Sequence, residues 1–141
     1  MLSYEPDLLV IAYGMNDRET TEQKYKHYIE EMVSRYRAVK PDGCVLLVSP
    51  MLPNPECSNW NKNQTKWENI LSEIASENDC CALAPVTYLN KCLQQSGKRY
   101  RDYTANNVNH PNDFVVRLYA QAVLKTLLGD GFYTETYVNA E

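Results

Sequence analysis

The feature that most constrains the fold is a short apolar run near the start of the chain, Leu8–Tyr13, which reads LLVIAY. Its length suits a strand, and its lack of polar alternation predicts burial on both faces, as inside a parallel sheet. The run stops at Gly14, and the polar residues Asn16 and Asp17 follow at once. Because ligands bind at the carboxyl ends of strands in open α/β sheets, these residues occupy the expected position of a site.

Helical and strand-like segments alternate along the rest of the chain. Strands of this kind separated by helices predict an α/β fold with a doubly wound parallel sheet. A length of 141 residues fits one such domain, spanning 1–141. The predicted segments are a strand at 7–13, a helix at about 20–39 capped by Thr20 or Thr21, a strand at 44–48, a helix at about 61–77, a strand at 80–84, and helices at about 86–96 and 113–128.

Two stretches have no periodicity and are predicted to be loops. Residues 49–60 hold three prolines and follow the second strand, at the same sheet edge as Gly14. Residues 98–112 form a long polar segment, and a loop of that length in a compact domain is functional or disordered. The last helix is predicted to begin with Asp113 as its cap. Its predicted inward residues are Phe114, Leu118, Ala122 and Leu127.

Charge and cysteine content exclude several classes of protein. The chain has 14 basic and 18 acidic residues, and it has no basic cluster with interleaved aromatics, so we expect no nucleic-acid partner. Its apolar runs are far shorter than a bilayer span, so no membrane partner is expected either. Five cysteines without a Cys-x-x-Cys pair, and only two histidines, argue against a metal site. Cys44, Cys80 and Cys81 are predicted to be core thiols, while Cys57 and Cys92 could pair.

A side-chain amide and an imidazole both fall in predicted loops. Asn16 follows the first strand, and His110 lies in the long polar segment. An amide can stabilise an oxyanion, and an imidazole can act as general base and acid, so together they suit acyl transfer. Nothing in the sequence alone joins them, because they are 94 positions apart.

Two segments resemble a known family. Residues 13–17, YGMND, resemble the third conserved block of the Ser-Gly-Asn-His hydrolases, also called GDSL esterases and lipases, and residues 106–114, NNVNHPNDF, resemble their last block. The resemblance covers nearly the whole chain. It implies an ester hydrolase with a flavodoxin-like fold, a doubly wound parallel sheet in three layers, α/β/α. It implies that Asn16 serves the oxyanion hole and that His110 is the general base. It further implies that Gly14 starts a tight turn and that Asp17 is a positioning residue.

The chain departs from the family pattern at two places. Three residues before the catalytic His the family has an Asp that orients it, and this chain has Asn107. An amide oxygen can accept the imidazole N–H but cannot stabilise an imidazolium with a full charge. The family also begins with a strand ending in Gly-Asp-Ser, which carries the nucleophile. No such block is present, and neither Ser3 nor Ser49 matches it, so the chain resembles the C-terminal portion of an esterase, with an N-terminally truncated fold.

The sequence therefore predicts an esterase domain that lacks its nucleophile and is inactive alone. The expected substrate is a small-molecule or carbohydrate ester, with Trp60 able to stack on a sugar ring, and no metal or organic cofactor is implied. The alternative is a non-catalytic glycan- or protein-binding domain on the same fold. A nucleotide-binding domain is disfavoured, because no Gly-rich loop follows the first strand. Loss of the neighbouring strand would expose the edge of residues 8–13, so a homodimer through this edge is expected.

Overall fold

Three parallel strands form one sheet at the centre of the computed structural model, which describes residues 4–17, 19–57 and 63–129. Their spatial order is β1-β2-β3. Leu8 pairs with Cys44 and Val45 pairs with Cys81 in the two registers. The fold is therefore α/β, as predicted. The elements are β1 (Leu8–Ile11), α1 (Glu22–Val39), β2 (Cys44–Val48), α2 (Gln64–Glu77), β3 (Cys81–Ala84), α3 (Val86–Gln95), a 3₁₀ turn (Tyr100–Asp102) and α4 (Asp113–Leu128).

Each face of the sheet packs against its own helices. Because successive strand residues point to opposite faces, β2 contributes Val45 and Leu47 to one core and Leu46 and Val48 to the other. The first core contains the apolar stripes of α1 and α2, with Trp67 fully buried. The second contains residues of α3, the 3₁₀ turn and α4. The helices thus form two layers around the sheet.

The prediction that β1 is buried on both faces is wrong. Leu9 and Ile11 pack into the first core. On the opposite face, Leu8 and Val10 are 37% and 51% exposed. The reason is that α4 packs over β3 at the other edge of the sheet, and no helix among residues 4–17, 19–57 and 63–129 covers β1 on this side.

The start and rotation of α4 also differ from the prediction. Its N-cap is Asn112, whose side-chain oxygen accepts the Val115 N–H, so Asp113 is the first helical residue. Val115 and Ala122 are the buried positions, whereas Phe114 and Leu127 are exposed. A hydrogen bond from the Met51 N–H to the Tyr119 hydroxyl ties the helix to the loop after β2 and fixes this rotation. Gly129 ends the helix with a φ of 69°, as its position in the sequence indicated.

The cysteines are less buried than predicted. Cys44 and Cys80 are exposed, and Cys81 is half-buried, because they lie at the amino ends of β2 and β3, where helix cover is thin. All five cysteines are free thiols, so Cys57 and Cys92 are not joined.

No helix in the described part of the chain has the length and apolar character to cross a membrane.

Candidate active site

The turn after β1 holds Asn16 and requires a glycine two residues earlier. Gly14 has a φ of +116°, which side-chain-bearing residues rarely adopt. A Cβ atom at this position would lie 3.0 Å from the Tyr25 hydroxyl oxygen and 3.1 Å from Trp67 Cδ1. The rings of Tyr25 and Trp67 stack with centroids 4.3 Å apart, so neither ring can easily move to make room for a Cβ atom. The turn therefore lies directly on the packed aromatic pair of α1 and α2.

A tyrosine from α1 anchors the same turn. The Tyr25 hydroxyl donates a hydrogen bond to the Tyr13 carbonyl oxygen, at 3.1 Å. Burial, and to a lesser degree the negative charge of Asp17, raise the pKa of Tyr25 well above its usual value, so it remains a protonated donor. The loop that presents Asn16 is thus fixed by packing below it and by a hydrogen bond beside it.

His110 lies in a compact loop organised by one asparagine side chain. The Asn106 Oδ1 atom accepts the backbone N–H groups of Val108, Asn109 and His110, at 3.0, 2.9 and 2.9 Å. Its Nδ2 group donates to Asn109 Oδ1 at 3.2 Å. Between them, Asn107 adopts a left-handed φ of 57°, which asparagine tolerates better than most residues. The side chain of Asn106 therefore sets the backbone path into His110.

The His110 loop is also tied to the proline-rich loop after β2. Asn54 donates its backbone N–H to the Val108 carbonyl oxygen and its side-chain amide to the Asn107 carbonyl oxygen, both at 2.7 Å. The Tyr100 hydroxyl lies 2.7 Å from the Leu52 carbonyl oxygen and 2.8 Å from that of Val108, and donates to one of them. Burial is the main cause that raises the pKa of Tyr100, which keeps this donor protonated.

Asn16 and His110 line the same cavity of about 290 Å³. The other lining residues are Met15, Met51, Asn109, Pro111 and Tyr119. Within the described residues, neither the Asn16 amide nor the His110 ring has a hydrogen-bond partner, and both residues are exposed. An amide donor and an imidazole are thus both accessible to a molecule in one cavity. None of the described lining residues is a serine, threonine or cysteine.

The other predicted site residues are not among the described residues that line this cavity. Gly14 and Asp17 flank Asn16 in the turn. Asn107 lines a second, larger cavity, and its carbonyl oxygen, not its side chain, accepts the hydrogen bond from Asn54. Trp60 lies outside the described residues. The roles assigned to these residues remain predictions.

Sequence reasoning missed Asn106, Asn54 and Tyr119. A signal for Asn106 was available, because an asparagine side chain commonly accepts the backbone N–H two residues on, as the Asn106–Val108 bond does. For Tyr119 the sequence showed only a helical aromatic. Burial raises the pKa of Tyr119 to about 12, and its hydroxyl accepts the Met51 N–H, so it serves as a neutral wall of the cavity.

Ser49 has a structural role at the end of β2. It is fully buried, and its hydroxyl donates to Glu68 Oε2 at 2.6 Å and accepts the Thr87 N–H at 3.1 Å. The same carboxylate oxygen accepts the Tyr88 N–H at 3.1 Å. These bonds satisfy the first turn of α3, whose N-cap, Pro85, provides no side-chain acceptor. Ser49 is therefore occupied as a helix cap and is inaccessible to a substrate.

Comparison with known proteins identifies one family. The sequence model described as the GDSL-like lipase/acylhydrolase family matches residues 1–117. The matched region includes the turn with Asn16 and the loop with His110, and it ends within α4. Comparison with curated protein sequences gives no match.

Proposed function

Because the chain belongs to the GDSL-like lipase/acylhydrolase family, a family of ester hydrolases, we propose that it provides the oxyanion donor and the general base of a carboxylic ester hydrolase. The observation that carries the proposal is the single cavity that exposes both Asn16 and His110. The ester carbonyl would enter this cavity, with its oxygen toward the Asn16 amide and its alcohol oxygen within reach of the His110 ring.

The reaction proceeds in two steps. His110 accepts the proton of a serine hydroxyl as the serine oxygen bonds to the ester carbonyl carbon, and the Asn16 N–H groups hydrogen-bond the resulting oxyanion. The carbon–oxygen bond to the alcohol then breaks, and His110 returns the proton to the departing alcohol. Water attacks the acyl-serine with His110 again as base, which releases the carboxylic acid and restores the serine.

In this proposal the serine lies outside the 141 residues. Ser49 is buried under Glu68, and the only hydroxyl among the described residues of the cavity wall is the Tyr119 phenol. With a pKa of about 12, that phenol is too weakly acidic to serve as a nucleophile near neutral pH. On this proposal, we expect the 141-residue chain alone to be inactive as an esterase.

In this proposal the loop around His110 orients the residue, and no carboxylate does so. Asn106 fixes the backbone N–H of His110, and Asn107 is the residue at the position of the orienting group. An amide oxygen at Asn107 can accept the imidazole N–H, but it stabilises the imidazolium less than a carboxylate does. Asp17 acts as a positioning residue beside Tyr25.

A carbohydrate ester is the proposed substrate. The support is the polar character of the loops around the cavity, where Asn16, Asn109 and His110 offer donors and acceptors for sugar hydroxyls. Trp60, which follows β2 in the sequence, is the candidate for stacking on a sugar ring.

The test uses the full reading frame that contains these residues, beside the 141-residue chain. With p-nitrophenyl acetate and an acetylated sugar, we expect turnover only from the longer protein, and faster turnover of the sugar ester. Asn16→Ala should lower kcat by about 10²–10³-fold, the cost of one oxyanion donor. His110→Ala should lower it at least as much, while His27→Ala, an exposed histidine of α1, serves as the matched control.

A fluorophosphonate probe followed by peptide mapping locates the nucleophile. The expected label is on a serine outside the 141 residues, and it should disappear in His110→Ala. A label on Ser49, or turnover by the short chain that survives His110→Ala, would contradict the proposal.

The second candidate is a non-catalytic binding domain for a glycan or protein on the same fold. The lack of a serine, threonine or cysteine among the described residues of the cavity wall favours it. Absence of any labelled serine in the longer protein, together with retained binding of the sugar ester, would support this alternative.

A further inference from the structure

A second cavity, of about 650 Å³, is lined in part by Asn107 and Val108 of the His110 loop. None of its described lining residues also lines the cavity of Asn16 and His110. Its walls are the proline-rich loop at 54–57, the end of α3, the 3₁₀ turn and the backbone at 107–108. Its volume is in the range of small-molecule sites, roughly 300–1,000 Å³.

This second cavity is cationic although the chain as a whole is acidic. Among its described lining residues, the cations Lys98 and Arg101 stand against one carboxylate, Glu56, while the chain carries a net charge of −4. The neighbouring Arg99 is already neutralised by Asp102, at 3.0 and 3.1 Å. Arg101 is exposed and has no ion pair or hydrogen bond among residues 4–17, 19–57 and 63–129. A guanidinium that is unpaired at a cavity wall can bind a carboxylate or phosphate through two parallel hydrogen bonds.

The remaining polar groups of the cavity suit hydroxyl groups. Gln94 donates through Nε2 to the buried Tyr103 hydroxyl, at 3.0 Å, which fixes its amide and leaves its carbonyl oxygen as an acceptor. The amide of Asn54 is fixed at both ends, because its Nδ2 group donates to the Asn107 carbonyl oxygen and its Oδ1 atom accepts the Glu56 N–H at 2.9 Å. Amides held in place by the protein bind hydroxyls with little loss of side-chain entropy. The cavity therefore combines an anion-binding end with ordered amide groups.

We propose that this cavity binds a sugar that carries one anionic group, either a carboxylate or a phosphate. Arg101 and Lys98 bind the anion, and Gln94 and Asn54 contact the hydroxyls. The inference deepens the carbohydrate part of the proposed function, since the cavity wall at Asn107 and Val108 belongs to the loop that carries His110. Its test measures binding and not hydrolysis, so either proposal can fail without the other.

The experiment is isothermal titration calorimetry of the 141-residue chain with four compounds, glucuronate, glucose 6-phosphate, glucose and inorganic phosphate. We expect one of the two anionic sugars to bind at least about tenfold more tightly than glucose or phosphate, and the better one identifies the anionic group. Arg101→Gln should weaken its binding by about tenfold or more, because the charged hydrogen bonds from the guanidinium to the anion are lost. Arg35→Gln, on α1 across the sheet, removes a charge elsewhere and should change the affinity less than about twofold.

Backbone amide chemical shifts provide the second measurement. The sugar should shift signals at 54–57 and 94–108 in the parent chain and not in a folded Arg101→Gln variant. Inorganic phosphate binding as tightly as the anionic sugar would overturn the proposal, as would equal weakening by Arg35→Gln. Absence of binding by both sugars would overturn it as well.

Discussion

The backbone N–H of His110 donates a hydrogen bond to the side-chain oxygen of Asn106, at 2.9 Å. The same oxygen accepts the N–H groups of Val108 and Asn109, so one side chain holds three consecutive backbone donors. The imidazole of the candidate base is therefore presented by a turn that is built locally, within five residues, and needs no carboxylate to form.

Replacement of Asn106 tests this relationship. Asn106→Ala should lower the free energy of unfolding by about 1 kcal/mol, since the loop is exposed and water replaces part of the lost bonding. Amide hydrogen exchange at Val108, Asn109 and His110 should become faster. Asn106→Asp keeps the acceptor oxygen and should retain most of the protection. Unchanged exchange in Asn106→Ala would show that other contacts hold the loop.

Substitution of two glycines by alanine distinguishes the loss of stability due to an unfavourable φ angle from the loss due to steric contact of the new Cβ atom. Gly14 and Gly97 both have positive φ, +116° and +84°, but only Gly14 has side-chain atoms near the position of a Cβ, and Gly97 has none within 4 Å. Gly97→Ala should therefore cost about 1 kcal/mol and Gly14→Ala about 2–4 kcal/mol, measured by urea unfolding. Equal losses would mean that Tyr25 and Trp67 move aside freely.

Burial of Tyr119 predicts a loss of stability in alkali. Its pKa is raised from 10.0 to about 12 in the folded chain, so the folded state favours the protonated phenol. The resulting stabilisation is fully present below about pH 10, where the unfolded chain is also protonated, and it is lost as the pH rises toward 12. The urea midpoint should fall over this range, and less steeply in Tyr119→Phe. Tyr28→Phe, at an exposed position of α1, controls for the loss of a hydroxyl, and the same slope in both variants would contradict the prediction.

The open edge of β1 predicts self-association. Leu8, Val10 and Tyr13 are 37%, 51% and 60% exposed, and within the described part of the chain β1 has a partner strand on one side only. Unpaired backbone groups next to apolar side chains favour pairing with another strand, and a second copy brings the same edge. Light scattering should give a mass that rises with concentration toward that of a dimer.

Val10→Lys should abolish this association, because a charge at a strand edge opposes pairing. The matched control is Val116→Lys, a valine of α4 that is 52% exposed, on the helix that packs over β3 at the other edge of the sheet. A constant monomer mass for the parent chain at all concentrations would contradict the prediction.

The elements of the fold followed from short-range patterns. The predicted strand at 44–48 has the same first and last residues as β2, and Pro41 and Gly43 mark the turn before it. These predictions succeed because apolar runs and turn residues act through local backbone preferences. Thr21 caps α1 for the same reason, since its side-chain oxygen reaches an N–H only three residues away. The two segments that indicated the family are also local, and the family match covers both.

Tertiary structure decided what lies beside each element. Val10 is exposed because α4 packs over β3 and does not cover β1. The residues of β1 alone cannot indicate where a helix distant in the sequence will pack. The burial of Ser49 depends in the same way on Glu68 of α2 and on the start of α3. The sequence by itself determined which segments are strands, helices and turns, because those choices rest on neighbours a few residues apart. Only the folded chain could place Asn16 and His110 in one cavity. These residues are 94 positions apart, and they meet because the turn after β1 and the loop before α4 line the same cavity.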